Sequence, residues 1–467
     1  MAEVKTNILK IRGDNAILML KSDAGKFTFS EGTEPNAWLS KHENEEITLS
    51  DIRGGVEPWL TSLFQSEHLS LLTGTGLSNA IQFLATKTGN NAMTMPSPKT
   101  KYADKISAAT CEIAKKNSRG DANIEDYIRV INELLRGLEI LGYNSTGEGH
   151  KDDKEDYDQL DNLLKTTIKN YADSISEIEY SIATSTDEQR EEAFATLVNF
   201  LMSFASRIGT RERLNIFTTN YDRLIEAGAE LAGLHLLDRF IGTLAPIFRS
   251  SRLDVDMHYN PPGIRGEPRY LEGVARFTKL HGSLDWINTG DDIRRIGLPF
   301  GSKDIESFLK APGLQQADVR KLMIYPNSAK DRETAEYPYV ELFRDFASAL
   351  CRPNSTLVTY GYGFGDDHIN RIIRDMLTIP STHLVAISYN DAGGRITKKV
   401  KEFGHPTQIS LIIGEGLADI KILVDYFLPK PSIDRASIRM SELLKQRYSA
   451  PKSNAAGDFA SLEGGEI

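Results

Sequence analysis

The sequence predicts an α/β fold: a mostly parallel sheet with flanking helices, a large helical insertion and a small strand-rich N-terminal segment. Three observations carry this. From residue 214 onward, short apolar runs alternate with helical stretches, the pattern of a parallel sheet covered by helices. Polar residues stand directly behind several of these runs, where open α/β sheets bind ligands. Between about residues 103 and 207 the apolar spacing is helical.

Residues 1–60 read as the strand-rich lead-in, because Ile8–Arg12 and Ala16–Leu20 flank Gly13-Asp14-Asn15, a hairpin signal. Whether this piece caps the main sheet or meets a second copy stays open. The catalytic domain is expected over 61–430, and 431–467 as a C-terminal helix with a disordered tail from Ala455. Leu69–Leu72 is a buried strand, followed by Thr73-Gly74-Thr75-Gly76-Leu77-Ser78 and a short helix over Asn79–Lys87. In the insertion, Ile124, Ile128, Ile131, Leu135, Leu138 and Leu141 share a helix face. The charged stretch Asn144–Asp158 reads as a mobile loop. Thr186 with Gln189 makes a capping box for the next helix. The insertion is expected to serve as a lid or packing layer.

Further strands are expected at Leu214–Phe217, around Phe277–Leu280, at Leu322–Tyr325, Ser355–Tyr360, His383–Ser388 and Gln408–Ile413. Helices are expected at Arg223–Leu231, Glu336–Leu350, Asp366–Leu377 and Leu417–Phe427. Residues 244–270 form a long irregular stretch rich in Pro, Gly and Arg, a type of loop that is often functional.

The 467 residues allow a sizeable core. A net charge of −10 argues against broad nucleic-acid binding, though not against a local basic groove. No run reaches about 18 apolar residues, and the first residues lack a signal-peptide pattern. A cytoplasmic location without membrane contact is therefore expected. Only Cys111 and Cys351 occur, which fits a reducing compartment and excludes a four-cysteine zinc site within one chain.

Gly74 and Gly76 permit tight turns and close backbone approach to a phosphate, and a helix starting near Ser78 would direct amides at an anion. The loop has no Gly-Lys-Ser/Thr, so it is not a Walker A loop; a plain strand-to-helix turn explains it equally well. In Thr218-Thr219-Asn220-Tyr221-Asp222, Asn220 can fix a ribose hydroxyl and a water, or merely cap the following helix. His281, in Lys279-Leu280-His281-Gly282-Ser283, can act as a general base or as a structural hydrogen bonder. Gly361-Tyr362-Gly363-Phe364-Gly365 repeats the strand–glycine–helix layout. Two such loops suit a dinucleotide bound across a switch point. Asn390 stands behind another strand, where it suits a ribose contact or a turn.

The blocks at 74–78, 218–222, 279–283, 361–366 and 389–390, in this order, resemble those of the sirtuin superfamily. The resemblance is closest to the sirtuin-like branch of bacterial anti-phage defence, in which Thr-Thr-Asn-Tyr-Asp-Arg-Leu-Ile-Glu (218–226) recurs nearly as written. It spans about 69–428 and implies a Rossmann-like sheet that binds NAD and breaks the nicotinamide–ribose bond. By that resemblance, Gly74, Thr75, Gly76 and Ser78 lie along the pyrophosphate. Thr219 joins the dinucleotide contacts, Asn220 orders ribose and water, Asp222 meets the carboxamide, and His281 is the base. Gly361, Phe364, Gly365 and Asn390 hold the adenosine end. Deacylase sirtuins carry a four-cysteine zinc ribbon and a Ser-Gly-Ile-Pro-Asp-Phe-Arg stretch, where this chain has Asn79-Ala80-Ile81-Gln82-Phe83. Hydrolysis of NAD to nicotinamide and ADP-ribose, without zinc, is therefore expected over deacylation.

The resemblance also implies an abortive-infection effector, a homo-oligomer, and a HerA-like hexameric ATPase as partner, with nucleic acid met only through that partner. The lack of an obvious sensor segment after residue 430 points the same way. Two other readings stay open: a nuclease holding Mg²⁺ on Asp254, Asp256, Asp366 and Asp367, and a non-catalytic NAD or ADP-ribose sensor.

Overall fold

The computed structural model describes residues 6–21, 25–39, 46–89, 100–116, 122–141, 151–205, 212–251, 255–259, 269–290, 292–311, 313–314, 322 and 337–430. The expected C-terminal helix and tail over 431–467 lie outside them.

The lead-in begins with β1 (Thr6–Lys10), β2 (Ile17–Lys21) and β3 (Phe27–Phe29). Ile8 faces Leu18 across the expected hairpin. Its second half is helical, however: α1 (Leu49–Phe64) starts at a Thr48/Asp51 capping box, a signal the strand-rich reading of 1–60 passed over. After α1 come β4 (His68–Thr73) and α2 (Thr75–Thr86). The latter starts earlier than expected, because Gly74 is extended and serves as its N-cap.

The insertion comprises α3 (Ala103–Lys116), α4 (Ile124–Leu141), α5 (Lys151–Ala183) and α6 (Asp187–Ala205). Ile124, Ile128, Ile131 and Leu135 pack with Leu160, Leu164 and Ile168 of α5 in a second core that also takes in Tyr221, Leu284 and Ile287. Farther along α5, Ile178 and Ile182 join the main core, as do Leu197 and Leu201 of α6. The second half of the insertion thus packs directly on the sheet layer. Of the expected loop 144–158, residues 144–150 lie outside the described set, and 151–158 are the first turns of α5. Asp156 anchors those turns by accepting from the Tyr102 hydroxyl at 2.5 Å and pairing with Lys101 at 2.5 Å. Local composition cannot report a tie of that range.

Next come β5 (Leu214–Thr218), α7 (Leu224–Ala232), β6 (His235–Leu237), β7 (Phe240–Ile241), β8 (Ile247–Phe248), β9 (His258–Tyr259), β10 (Arg269–Tyr270), β11 (Val274–Lys279), β12 (Trp286–Asn288) and β13 (Ile293–Arg295). The irregular stretch 244–270 therefore contains short strands. Leu322 of the expected strand 322–325 makes a lone bridge with Ile287, and 323–325 lie outside the described residues. The chain continues through α8 (Tyr339–Leu350), β14 (Ser355–Tyr360), α9 (Asp367–Leu377), β15 (His383–Ser388), α10 (Arg395–Phe403) and β16 (Ile409–Ile413). The single helix expected over 417–427 is broken by Asp419, extended at ψ 134°, whose carboxylate accepts from Lys421 and Ile422 amides at 3.0 and 3.3 Å.

A ten-stranded sheet runs β3-β2-β1-β16-β15-β14-β4-β5-β11-β6. From β16 to β6 all pairs are parallel; β1 joins β16 antiparallel, so the lead-in extends the sheet. In chain order β4, β5, β11, β14, β15 and β16 take the spatial order 3-2-1-4-5-6, that of dinucleotide-binding doubly wound sheets. Apolar residues alternate between the faces: Ile216 packs under α1, α2, α6 and α7, whereas Phe217 packs under α8, α9 and α10. The order reverses between β4 and β14.

His383 is buried at the start of β15, its Nε2 2.9 Å from Ser410 Oγ and its ring edge-on to Trp59. Burial, then the nearby Lys10 ammonium, push its pKa down to about 4. The unfolded chain therefore binds the extra proton first. Stability from the neutral ring is complete above about pH 6.5 and falls by about 3 kcal/mol as pH drops to about 4. Urea unfolding across this window should show that slope, and His383→Gln should flatten it; an equally steep profile in the variant would refute the assignment. No described helix is long and apolar enough to cross a membrane.

Candidate active site

At the reversal the two glycine loops touch. Gly74 N–H donates to Tyr360 O at 3.0 Å and Gly76 N–H to Gly361 O at 3.1 Å. A Cβ on Gly76 would fall 2.5 Å from Gly361 Cα, and one on Gly74 2.6 Å from Gly361 O. These glycines are therefore required by each other's backbone, before any ligand is considered. Gly361 also holds φ +63°.

Around this contact lies a cavity of about 210 Å³. Gly74, Thr75, Ser78, Thr219, Asn220, Asp222, His281, Gly361 and Gly365 all line it. Four separate strand ends thus deliver the expected residues to one place. Three do not reach the wall. Gly76 lies behind it against Gly361. Phe364 is buried among Tyr362 and Phe403; its positive φ of 53° turns it into the apolar layer. Asn390 is exposed and uses Oδ1 to accept from Ala392 N–H at 3.0 Å, the turn role open to it from the start.

Asn220 is not a helix cap; α7 starts behind Arg223. Its Nδ2 donates to Gly74 O at 2.9 Å and to Ser78 Oγ at 2.8 Å. Ser78 in turn donates to Asp222 Oδ2 at 2.5 Å, and Asp222 Oδ1 accepts from Leu224 N–H at 3.2 Å. Both Nδ2 hydrogens are engaged, so the carboxamide orientation is fixed. Its Oδ1 is buried beside the cavity without a donor among the described residues, an acceptor that a hydroxyl or water would satisfy.

His281 is 5% exposed. Its Nε2 stands 3.4 Å from His368 Nε2 on α9, and His368 packs edge-on to Phe343. One ring must donate to the other. His368 follows the second glycine loop by only three residues. Beneath the site, the buried Lys279 ammonium donates to Asp222 O and pairs with Glu226 at 3.0 Å. Burial, opposed by Lys279, holds the Glu226 carboxyl above its ordinary range.

The insertion supplies one wall: Asn123, Glu125, Tyr171, Ile175 and Ile178. Tyr221 donates to Glu125 at 2.9 Å and meets Tyr171 edge-on. Burial, then Glu125, push both phenols well above their ordinary pKa, leaving them as O–H groups. The Asn123/Asp126 capping box was a readable helix start, but nothing local tied it to the site. Arg395, unmarked in the sequence, lines the cavity with Nε donating to Gly363 O at 2.7 Å.

Among the described residues no group of three or more His, Cys, Asp and Glu is placed to hold a metal. Cys111 and Cys351 are free and exposed. Of the acids weighed for Mg²⁺, Asp256 is paired with Arg213 at 3.0 Å, Asp367 lies 3.7 Å from Lys399, and Asp254 lies outside the described residues.

Sheet order, paired glycine loops and clustered strand ends define a doubly wound α/β domain with a dinucleotide-type site at its switch point. Residues 214–405 match the family profile of the SIR2-like domain, which supports membership of the sirtuin-like superfamily. SIR2-like domains bind NAD, and the match takes in Asn220, Asp222, His281 and the second glycine loop. No curated protein matches the chain.

Proposed function

We propose that this chain hydrolyses NAD to nicotinamide and ADP-ribose. The carrying observation is that Asn220 and His281, on neighbouring strand ends, line the same cavity as both glycine loops, with Asn220 Oδ1 buried and lacking a donor. Breaking the glycosidic bond builds positive charge on the ribose, and nicotinamide leaves neutral, so no strong acid is needed. The protein must orient the ribose, place a water and remove its proton. Asn220 Oδ1 takes the first two tasks, accepting from a ribose hydroxyl or the water. His281 takes the proton, directly or through a ribose hydroxyl, with His368 beside it. Asp222 fixes Ser78, and through it Asn220; its remaining lone pairs can meet the carboxamide.

Incubation with NAD, followed by chromatography for nicotinamide and ADP-ribose, tests the reading. Binding without turnover, with and without a partner, would favour a sensor instead. Arg395, without a carboxylate partner among the described residues, lies where the glycine loops suit the diphosphate. Arg395→Gln is expected to raise KM for NAD roughly tenfold with kcat nearly unchanged, as loss of uniform binding does. An unchanged KM would remove Arg395 from the diphosphate site.

The resemblance to defence effectors supports a wider reading: an abortive-infection enzyme held as a homo-oligomer with a HerA-like hexameric ATPase, since unrestrained NAD hydrolysis would harm the host. Light scattering that found only monomer, with or without such an ATPase, would count against it.

A further inference from the structure

A second cavity, of about 320 Å³, lies on the α8 side of the sheet. Asn215 and Phe217 of β5 and Arg276 and Thr278 of β11 line it, each pair two residues apart and so on one face. Arg344, Asp345 and Ser348 of α8 line it too, together with Arg239, Ser250, Glu212 and Arg352. Four guanidinium groups against two carboxylates leave a charge of +2 on this lining, in a chain whose net charge is −10.

The arginines are held in place but not exhausted. Arg239, 5% exposed, grips Asp345 through Nε and Nη2 at 2.7 and 2.6 Å, and its buried Nη1 has no acceptor among the described residues. Arg276 reaches Glu212 only at 4.0 Å, and its buried Nε likewise has no acceptor among the described residues. Arg352 pairs with Glu212 at 2.5 Å. Arg344, 61% exposed, is bonded to Glu341. Buried N–H groups left without acceptors are unfavourable. Convergent guanidinium forks with the hydroxyls of Ser250, Thr278 and Ser348 make a donor set suited to an anion with several oxygens. The volume falls in the small-molecule range.

We propose that this cavity binds a small phosphorylated anion, a phosphate monoester of nucleotide size, at a site separate from the first cavity. Its floor is built from the two strands that end in Asn220 and His281, so the ligand would rest on the elements that carry the candidate site.

Thermal melting at constant ionic strength tests this with inorganic phosphate, AMP and a short single-stranded oligonucleotide as probes. Phosphate and AMP should stabilise the wild-type chain and Arg395→Gln alike. In an Arg276→Gln/Arg344→Gln double variant the apparent Kd should rise about tenfold or more. If the double variant does not fold, Arg344→Gln alone, at an exposed position, should still weaken both probes. The proposal is overturned if neither phosphate nor AMP stabilises the wild type, or if the arginine variants bind as the wild type does. Loss in Arg395→Gln alone would place the anion in the first cavity, and stabilisation by the oligonucleotide alone would make the surface a nucleic-acid contact; either result also overturns it.

Discussion

His281→Ala should lose at least about 10²-fold in NAD turnover while keeping its melting temperature and its affinity for ADP-ribose, because general base catalysis contributes on that scale. Among the described residues the ring makes a side-chain hydrogen bond only to His368. Its removal should therefore take the proton acceptor from the proposed reaction without undoing a strand or a loop. Asn220→Ala should lose a comparable factor but also melt lower. Its Nδ2 ties Gly74 and Ser78 together, so the variant disturbs the glycine contact as well as the water site. The pair of variants separates chemistry from scaffolding. Quenched-flow or stopped-time chromatography for nicotinamide gives turnover, and calorimetry with ADP-ribose gives affinity. Near-normal turnover in His281→Ala would end its assignment as the base, and His368, 3.4 Å away, would then be the residue to replace.

Much of this arrangement was legible because it is written locally. Apolar runs with polar residues behind them mark strands that end at a site, and β5 and β11 carry Asn220 and His281 as their spacing required. Helix periodicity marked α4 correctly. What stayed hidden depends on segments far apart in the chain. Gly76 looked like a phosphate glycine, yet it is Gly361, nearly three hundred residues on, that forbids it a side chain. Phe364 and Asn390 sit inside apt motifs, but the turn of the backbone aims one into the core and leaves the other on the surface. Periodicity revealed that α4 has an apolar face, not that Tyr171 and Ile175 of the next helix would wall the cavity. The charged start of α5 read as loop because the partners of Asp156, Lys101 and Tyr102, lie more than fifty residues earlier.

Glu179→Ala should be the most destabilising single change near the site, by about 3–5 kcal/mol, because it removes one half of a fully buried ion pair. Glu179 is 0% exposed on α5 and accepts from Arg223 three times, at the backbone N–H (2.8 Å), Nε (3.2 Å) and Nη2 (2.5 Å). Arg223 uses its other hydrogens on Leu298 O and on Pro299 O at 3.0 Å. Without the carboxylate a buried guanidinium is left with two carbonyl acceptors and no ion-pair partner among the described residues. For a chain of this size the melting temperature should fall by roughly 3–5 °C. The loss should not stay local. Arg223 follows Asp222 directly, and Lys279 grips the Asp222 carbonyl, so the loop bearing Asn220 loosens with it. On α5, one turn of helix separates Glu179 from Ile175 on the cavity wall. KM and kcat should therefore both worsen, unlike the KM effect of Arg395→Gln. Glu179→Gln, which keeps the shape but not the charge, should fall between wild type and Ala. A melt of Glu179→Ala within about 1 °C of wild type would show that the pair does not fasten the insertion to the sheet, and its apolar packing, including Ile178 and Ile182 of α5 and Leu197 and Leu201 of α6, would then carry that role.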